Sequence, residues 1–163
     1  MIPVRTVAPA DPIVTLSDLK QHLRIDYDDD DALIGSYLAA ATAWLDGYRG
    51  VLGRCVMPQT WQVVYGAAGT YRLPFPDVQT VTASAGTATL SSDCLGPLVT
   101  VTEAATVTMT VQCAPDILAS VQQITRLLVA HWFQNREAVS DGTMSEIPLS
   151  VNVLLAPIRW TRL

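Results

Sequence analysis

The hydrophobic period of this chain changes twice, and that change constrains the fold more than any single residue. Leu33, Ile34, Tyr37, Leu38, Ala41, Trp44, Leu45 and Tyr48 recur at steps of three and four. This spacing lines one face of an α-helix. From Gln59 to Cys113 the period drops to two. Trp61, Val63 and Tyr65 alternate with Gln62 and Val64, while Val78, Val81, Val99, Val101, Val107, Met109 and Val111 are separated by small polar residues, mainly threonine. Alternation of this kind marks antiparallel strands with one solvated face. Gly66, Gly69, Pro74, Pro76, Gly86, Gly96 and Pro97 supply turns, so the stretch predicts about five or six short strands in a small sheet or sandwich. At Pro115-Asp116 the helical period returns, with proline at its tolerated first position. Ile117, Val121, Ile124, Leu128 and Trp132 form the inner stripe of a second long helix, widened by Leu118, Leu127 and His131.

Shorter signals complete the chain. Pro3, Pro9 and Pro12 make residues 1–14 an extended arm. Thr15-Leu16-Ser17-Asp18 has capping-box spacing, and Leu16, Leu19 and Leu23 then share one face of a short helix ending near Arg24. Asp28, Asp29, Asp30 and Asp31 precede the first long stripe, where carboxylates suit the positive end of a helix dipole. Gly50 is the expected C-cap of that helix. Residues 135–147 read as a polar loop turning at Asp141-Gly142. Pro148 opens a last apolar segment with Val151, Val153, Leu154, Leu155 and Ile158, limited by Pro157. The predicted class is α+β: a small helical bundle, made of an N-terminal helix pair and a long C-terminal helix, with an inserted antiparallel β region. One domain spans 1–163, divided into the arm (1–14), helices (15–53), the β insertion (59–113), the long helix (115–136) and a C-terminal segment (148–163).

Composition excludes several functions. Half the residues are hydrophobic and 15% are charged, which is incompatible with a disordered chain. So little charge suggests a surface partly covered by partners. The net charge is −5, and the ten basic residues are scattered, with Lys20 the single lysine. Sequence-independent grip on DNA needs a basic patch; an acidic chain could still line a channel through which DNA slides without sticking, and charge alone does not separate the two cases. Cys55, Cys94 and Cys113 form no CxxC pair and are expected as small buried hydrophobes. No signal-peptide pattern opens the chain, and no apolar run approaches the ~20 residues of a membrane helix. The expected location is the cytoplasm until the chain joins something larger.

Chemistry is not visible. The consecutive aspartates lack the alternating ligands, central glycine and terminal glutamate of a calcium loop. His22 and His131 each lie on a helix with no nucleophile and acid spaced around them, and Ser140-Asp141 does not complete a hydrolase set with His131. His131-Trp132 is expected at a helix–sheet contact. Gly47, Gly50 and Gly53 follow a helix, whereas a phosphate loop precedes one. The aromatics do not alternate with basic residues as in a nucleic-acid stacking platform. No catalytic residue, metal ligand or cofactor is expected.

Three stretches in order resemble a known family. The first runs from His22-Leu23-Arg24-Ile25-Asp26 through the aspartates to Ala32-Leu33-Ile34 and Ala39-Ala40-Ala41-Thr42, with a glycine-rich exit from Trp44 to Gly50. The second is Pro58-Gln59-Thr60-Trp61, then Arg72-Leu73-Pro74, Pro76 and Val78-Gln79-Thr80-Val81. The third runs from Leu128 to Ala138, followed by Ile147-Pro148 and Leu154-Leu155-Ala156-Pro157-Ile158-Arg159. In order and spacing these resemble the phage head–tail connector (adaptor) proteins of tailed siphophages and gene transfer agents. Residues 82–112 depart most from that pattern.

The resemblance implies a structural subunit with no enzymatic activity. Copies would form a ring of about twelve to match the portal, extend the DNA channel, and join capsid to tail through a stopper or tail-terminator protein. Implied partners are the portal protein, other copies of the chain, and double-stranded DNA passing without sequence-specific binding, with no membrane. The expected location is the host cytoplasm during assembly and then the head–tail interface. By analogy, the portal contact falls on Val151, Leu154, Leu155, Ile158, Arg159, Trp160 and Arg162. Asp28, Asp29, Asp30, Arg136 and Glu137 are expected near subunit boundaries or the channel. The alternatives are a tail terminator or stopper, against which the two long helices count, a small binding module, which would need a pocket, and an enzyme whose site the sequence does not display.

Overall fold

The computed structural model describes residues 1–135 and 149–161. Among these the chain runs β1 (Val4–Val7), α1 (Leu16–Leu23), α2 (Asp31–Leu45), β2 (Gln59–Tyr65), β3 (Gly69–Arg72), β4 (Val78–Ala83), β5 (Ala88–Asp93), β6 (Gly96–Val101), β7 (Ala105–Val111), α3 (Pro115–Gln134) and α4 (Leu149–Leu155). The architecture is α+β. Of the loop expected at 135–147, Asn135 is the C-cap of the last long helix; the rest, with the turn at Asp141-Gly142, lies outside the described residues, as do Arg136, Glu137 and Arg162.

The helices share one core although the strands separate them in sequence. Leu19 of α1, Ile34 and Leu45 of α2, Val121, Ile124 and Leu128 of α3, and Val151 of α4 are all buried in one cluster. Each large aliphatic side chain removed from water in this way stabilises by roughly 1.5–3 kcal/mol. α1 begins where its sequence signal places it: Thr15 is extended and its hydroxyl accepts the Asp18 N–H at 3.1 Å. At the other end Arg24 adopts the left-handed conformation (φ 59°), and the N–H groups of Arg24 and Ile25 close on the carbonyls of Gln21 and Lys20.

Two helical expectations change in the structure. α2 ends at Leu45, not at Gly50: Asp46 is extended and its N–H closes on the Thr42 carbonyl. The Asp46 carboxylate then accepts the Val56 N–H (2.8 Å) and the Gln59 amide (2.9 Å), which fixes the turn away from the helix. Gly50 has a different role. A Cβ there would lie 2.4 Å from the Leu45 and Asp46 carbonyl oxygens, so the absent side chain lets the exit loop fold back on the helix end. Likewise His131-Trp132 is not a helix–sheet contact. Trp132 meets Tyr37 of α2, with ring centroids 6.3 Å apart, because α3 packs within the helical layer.

The strands form two antiparallel sheets, one ordered β1-β2-β7-β4 and the other β3-β6-β5. Their inner faces share a second core. Trp61, Val63 and Tyr65 of β2, Val107, Met109 and Val111 of β7, and Val99 and Val101 of β6 close around Phe75. Trp61 and Tyr48 contact Phe75 at centroid distances of 5.0 and 6.3 Å. The outer face of the four-stranded sheet follows from the register. Val4 lies opposite Gln62 and Val7 opposite Thr60. Thr60, Gln62 and Val64 face Thr110, Thr108 and Thr106, and Thr110 and Thr108 face Thr80 and Thr82 of β4. No charged side chain enters these rows. The hydroxyls and amides bond across strands instead, Gln62 to Thr108 at 3.1 Å and Thr80 with Thr110 at 2.6 Å.

The proline-rich arm is extended, but residues 4–7 pair with β2 of the same chain. Cys55 and Cys113 are buried, and burial drives the Cys55 thiol strongly upward and Cys113 to about 11. Cys94 departs from the sequence expectation by being exposed, since it occupies the β5–β6 turn, where Asp93 pairs with Gly96.

Candidate assembly surfaces

Of Asp28, Asp29, Asp30 and Asp31, the first and last are held by Lys20 of α1. The Lys20 ammonium hydrogen-bonds the exposed Asp28 carboxylate and lies 2.8 Å from Asp31 Oδ1. The hydrogen bond to Asp28, followed by the bond to Asp31, raises the Lys20 pKa, and the Lys20 bond holds Asp28 below its usual value. Asp30 is the N-cap of α2 but caps no helix N–H; its carboxylate accepts the Tyr27 hydroxyl at 3.2 Å. The run therefore acts less through the helix dipole than through a local cluster joining α1 to α2. Asp28 and Asp29 stay exposed beyond it.

The C-terminal segment has two faces. Val151 and Leu155 are buried in the helical core (0% and 5% exposed), and Leu154 and Ile158 pack partly against it. These residues anchor α4, and Val151 and Leu155 have no free surface to give a partner. Leu149 (76% exposed) and Val153 (64%) occupy the outward side four residues apart, with Arg159 exposed beyond them. The sequence reading takes the segment from Leu149 to Leu163 as a contact surface and singles out Val151 and Leu155, which the structure buries, while Leu149 and Val153 are exposed. In so short a segment, alternative helical faces are equally apolar, and only packing decides which one is buried.

Trp160 joins the segment to the sheets. Its N–H donates to the Leu52 carbonyl at 2.8 Å, and its indole lies over Gly96, where a Cβ would come within 3.0 Å of the ring. Gly53, with φ +65°, passes so close that a Cβ would meet the Trp160 carbonyl at 2.4 Å.

The remaining polar groups tie the two cores together. Arg54 pairs with Asp77 at 2.8 Å; both are largely buried, and burial raises Asp77 even against the pull of Arg54. Trp61 donates to the Gln59 side chain, and Arg5 approaches both Asp46 and the Trp61 ring. His22 is exposed on α1, and His131 contacts Asn135 on its own helix. Among the described residues no group of three or more His, Cys, Asp or Glu side chains is placed to hold a metal ion. Nor, among them, is any helix long and apolar enough to cross a membrane. A groove of about 1010 Å³ runs between the arm and α2, with small residues Gly35, Ala39 and Ala43 on its helical wall.

Residues 13–73 match the family model described as phage gp6-like head–tail connector protein. A search of curated proteins finds no match. Two solved structures resemble the whole chain. One is a chain from the neck of an empty gene transfer agent particle (TM-score 0.73, 22% identity, covering 100% of this chain and 97% of that one). The other is a chain from the virion of a native gene transfer agent particle (TM-score 0.69, 21% identity, 100% and 97% covered). At these identities the likeness is one of fold. The sequence resemblance to head–tail connector proteins is thus met by a family model over residues 13–73 and accompanied by a full-length likeness of fold to chains of gene transfer agent particles.

Proposed function

We propose that the chain is a structural connector subunit rather than an enzyme. Copies form a ring beneath the portal, about twelve in number to match it, which extends the DNA channel and joins capsid to tail. The observation that carries this reading is the fold likeness to a neck chain, which spans the molecule end to end rather than one common motif. The connector-family match over residues 13–73 covers the arm's end, α1, α2 and the entry to the sheets, an independent signal in sequence. Low charge and exposed apolar corners agree with a part that finishes burying its surface in an assembly. Tail-side partners are a stopper or terminator, and DNA passes a chain of net charge −5 without being gripped.

The portal contact is assigned to the outward side of α4 and the residues after it, with Leu149, Val153 and Arg159 at its centre. Removing residues 149–163 would be a poor test, because Val151 and Leu155 complete the helical core. The double substitution Leu149→Glu/Val153→Glu leaves that core intact. The expected outcome is an unchanged urea midpoint and at least a tenfold loss of binding to portal rings, read by co-sedimentation. Unchanged binding would remove α4 from the portal interface.

A further inference from the structure

The family resemblance puts Trp160 in the portal contact beside Arg159, but the structure turns it inward. Its backbone N–H donates at 2.8 Å to the carbonyl of Leu52, a fully buried residue of the helical core. Its indole lies against Gly96, where β6 begins. Both approaches need a glycine. A Cβ at Gly53 would meet the Trp160 carbonyl at 2.4 Å, and one at Gly96 would meet the ring at 3.0 Å. Each glycine also holds a positive φ (+65° and +121°) that side-chain-bearing residues rarely adopt. Trp160 is accordingly half-buried, whereas its neighbours Arg159 and Thr161 are exposed.

α4 needs such a tie. It has seven residues, and isolated helices shorter than about 12–15 residues are marginal in water. Val151 and Leu155 dock one side of it on the helical core. Beyond Leu155 the chain keeps bonding back to the helix. The Ala156 N–H closes on the Asn152 carbonyl, and those of Ile158 and Arg159 close on Leu155. Trp160 follows directly, so its clamp on Leu52 and Gly96 ends a bonded run that begins in α4.

We propose that Trp160 is a positioning residue for the portal contact and not part of it. Seated between Gly53 and Gly96, it holds α4 and Arg159 in the orientation that the portal meets. The proposal rests on the connector reading and on the α4 surface, and deepens them by assigning a residue that acts through that surface. Populations set the size of its effect. If α4 keeps the seated orientation about a tenth of the time, binding weakens about tenfold, because apparent affinity scales with the competent fraction. A residue in direct contact would instead add its own loss to that of Leu149 and Val153.

Hydroxyl-radical footprinting of the unmodified chain, free and on portal rings from the same gene cluster, is the first test. Leu149 and Val153 should become protected on the portal, while Trp160 keeps its free oxidation rate. Trp160→Ala should weaken co-sedimentation with portal rings about tenfold. It should also speed hydrogen exchange in α4 and leave that of α3 and the strands unchanged. Trp160→Phe, which keeps a ring in the seat, should restore binding. Added to Leu149→Glu/Val153→Glu, Trp160→Ala should cost no further binding, since the surface it positions is already lost. Protection of Trp160 together with Leu149 overturns the proposal. So does an alanine variant that binds like the native chain, or one whose loss adds in full to that of the double substitution. If Trp160→Ala does not fold, Trp160→Leu takes its place beside the footprint. A portal left bare by the unmodified chain removes the connector reading, and a bound chain with Leu149 and Val153 unprotected removes the α4 surface. The proposal falls with either, and neither outcome resembles a protected Trp160.

Discussion

Arg54 and Asp77 show how little a buried charge pair adds once desolvation is counted. Asp77 is raised, first by burial and also by Asp116, despite its ion pair with Arg54, as expected where desolvation offsets much of a buried pair's attraction. Asp77→Asn should destabilise by roughly 2–3 kcal/mol, below the ~3–5 kcal/mol of a fully buried pair, because Arg54 stays behind unpaired. Arg54→Met/Asp77→Leu should return to within about 1 kcal/mol of the native chain in urea denaturation. A double variant as damaged as the sum of the singles would show the pair to be a net stabiliser. Asp93 differs, being held at the surface by two hydrogen bonds from Arg72 and the Leu95 N–H, which bring its carboxyl down to about 2. Its folded value lies below its unfolded value of about 3.9. Its stabilisation is therefore full above that unfolded value and lost as pH falls towards 2. Asp93→Asn should lower the urea midpoint at pH 5 and flatten its fall between pH 4 and pH 2 (about the interval between the two pKa values). A variant with the native slope would exclude Asp93 from that loss. None of these partnerships is legible in sequence, since Arg72 and Asp93, or Lys20 and Asp28, are matched by folding and not by a motif.

At the scale of elements, the sequence was readable wherever a period or a cap carries the information locally. The stripe through Ile34, Ala41 and Leu45 and the alternation through Trp61, Val63 and Tyr65 both reappear as buried faces. Thr15 is the clearest case, because its cap depends on a residue three positions away. Thr15→Ala should cost about 1 kcal/mol of stability, measured by urea denaturation. Thr15→Ser should restore most of it, and an unaffected alanine variant would show that packing alone holds α1. The unreadable features depend on distant neighbours. α2 stops at Leu45 because Asp46 finds Val56 and Gln59, while Gly50 is required by carbonyl oxygens it folds against. The same limit governed the candidate surface. The C-terminal segment was recognisable as apolar, but the choice of Val151 for the core and Val153 for solvent belongs to the packing of α4 on α3.

The described residues form two cores joined by ties that include Asp46 to Gln59, Arg54 to Asp77, the Cys113 N–H to the Cys55 carbonyl, and Trp160 laid across Leu52 and Gly96. The helical layer holds the proposed portal surface on α4, where Leu149 and Val153 face outward. The most direct measurement is electron microscopy of the purified chain mixed with portal rings from the same gene cluster. The expected result is a collar of added density on the tail side of the portal, with about twelve copies around the channel. A portal that stays bare at high protein concentration would contradict the connector function itself.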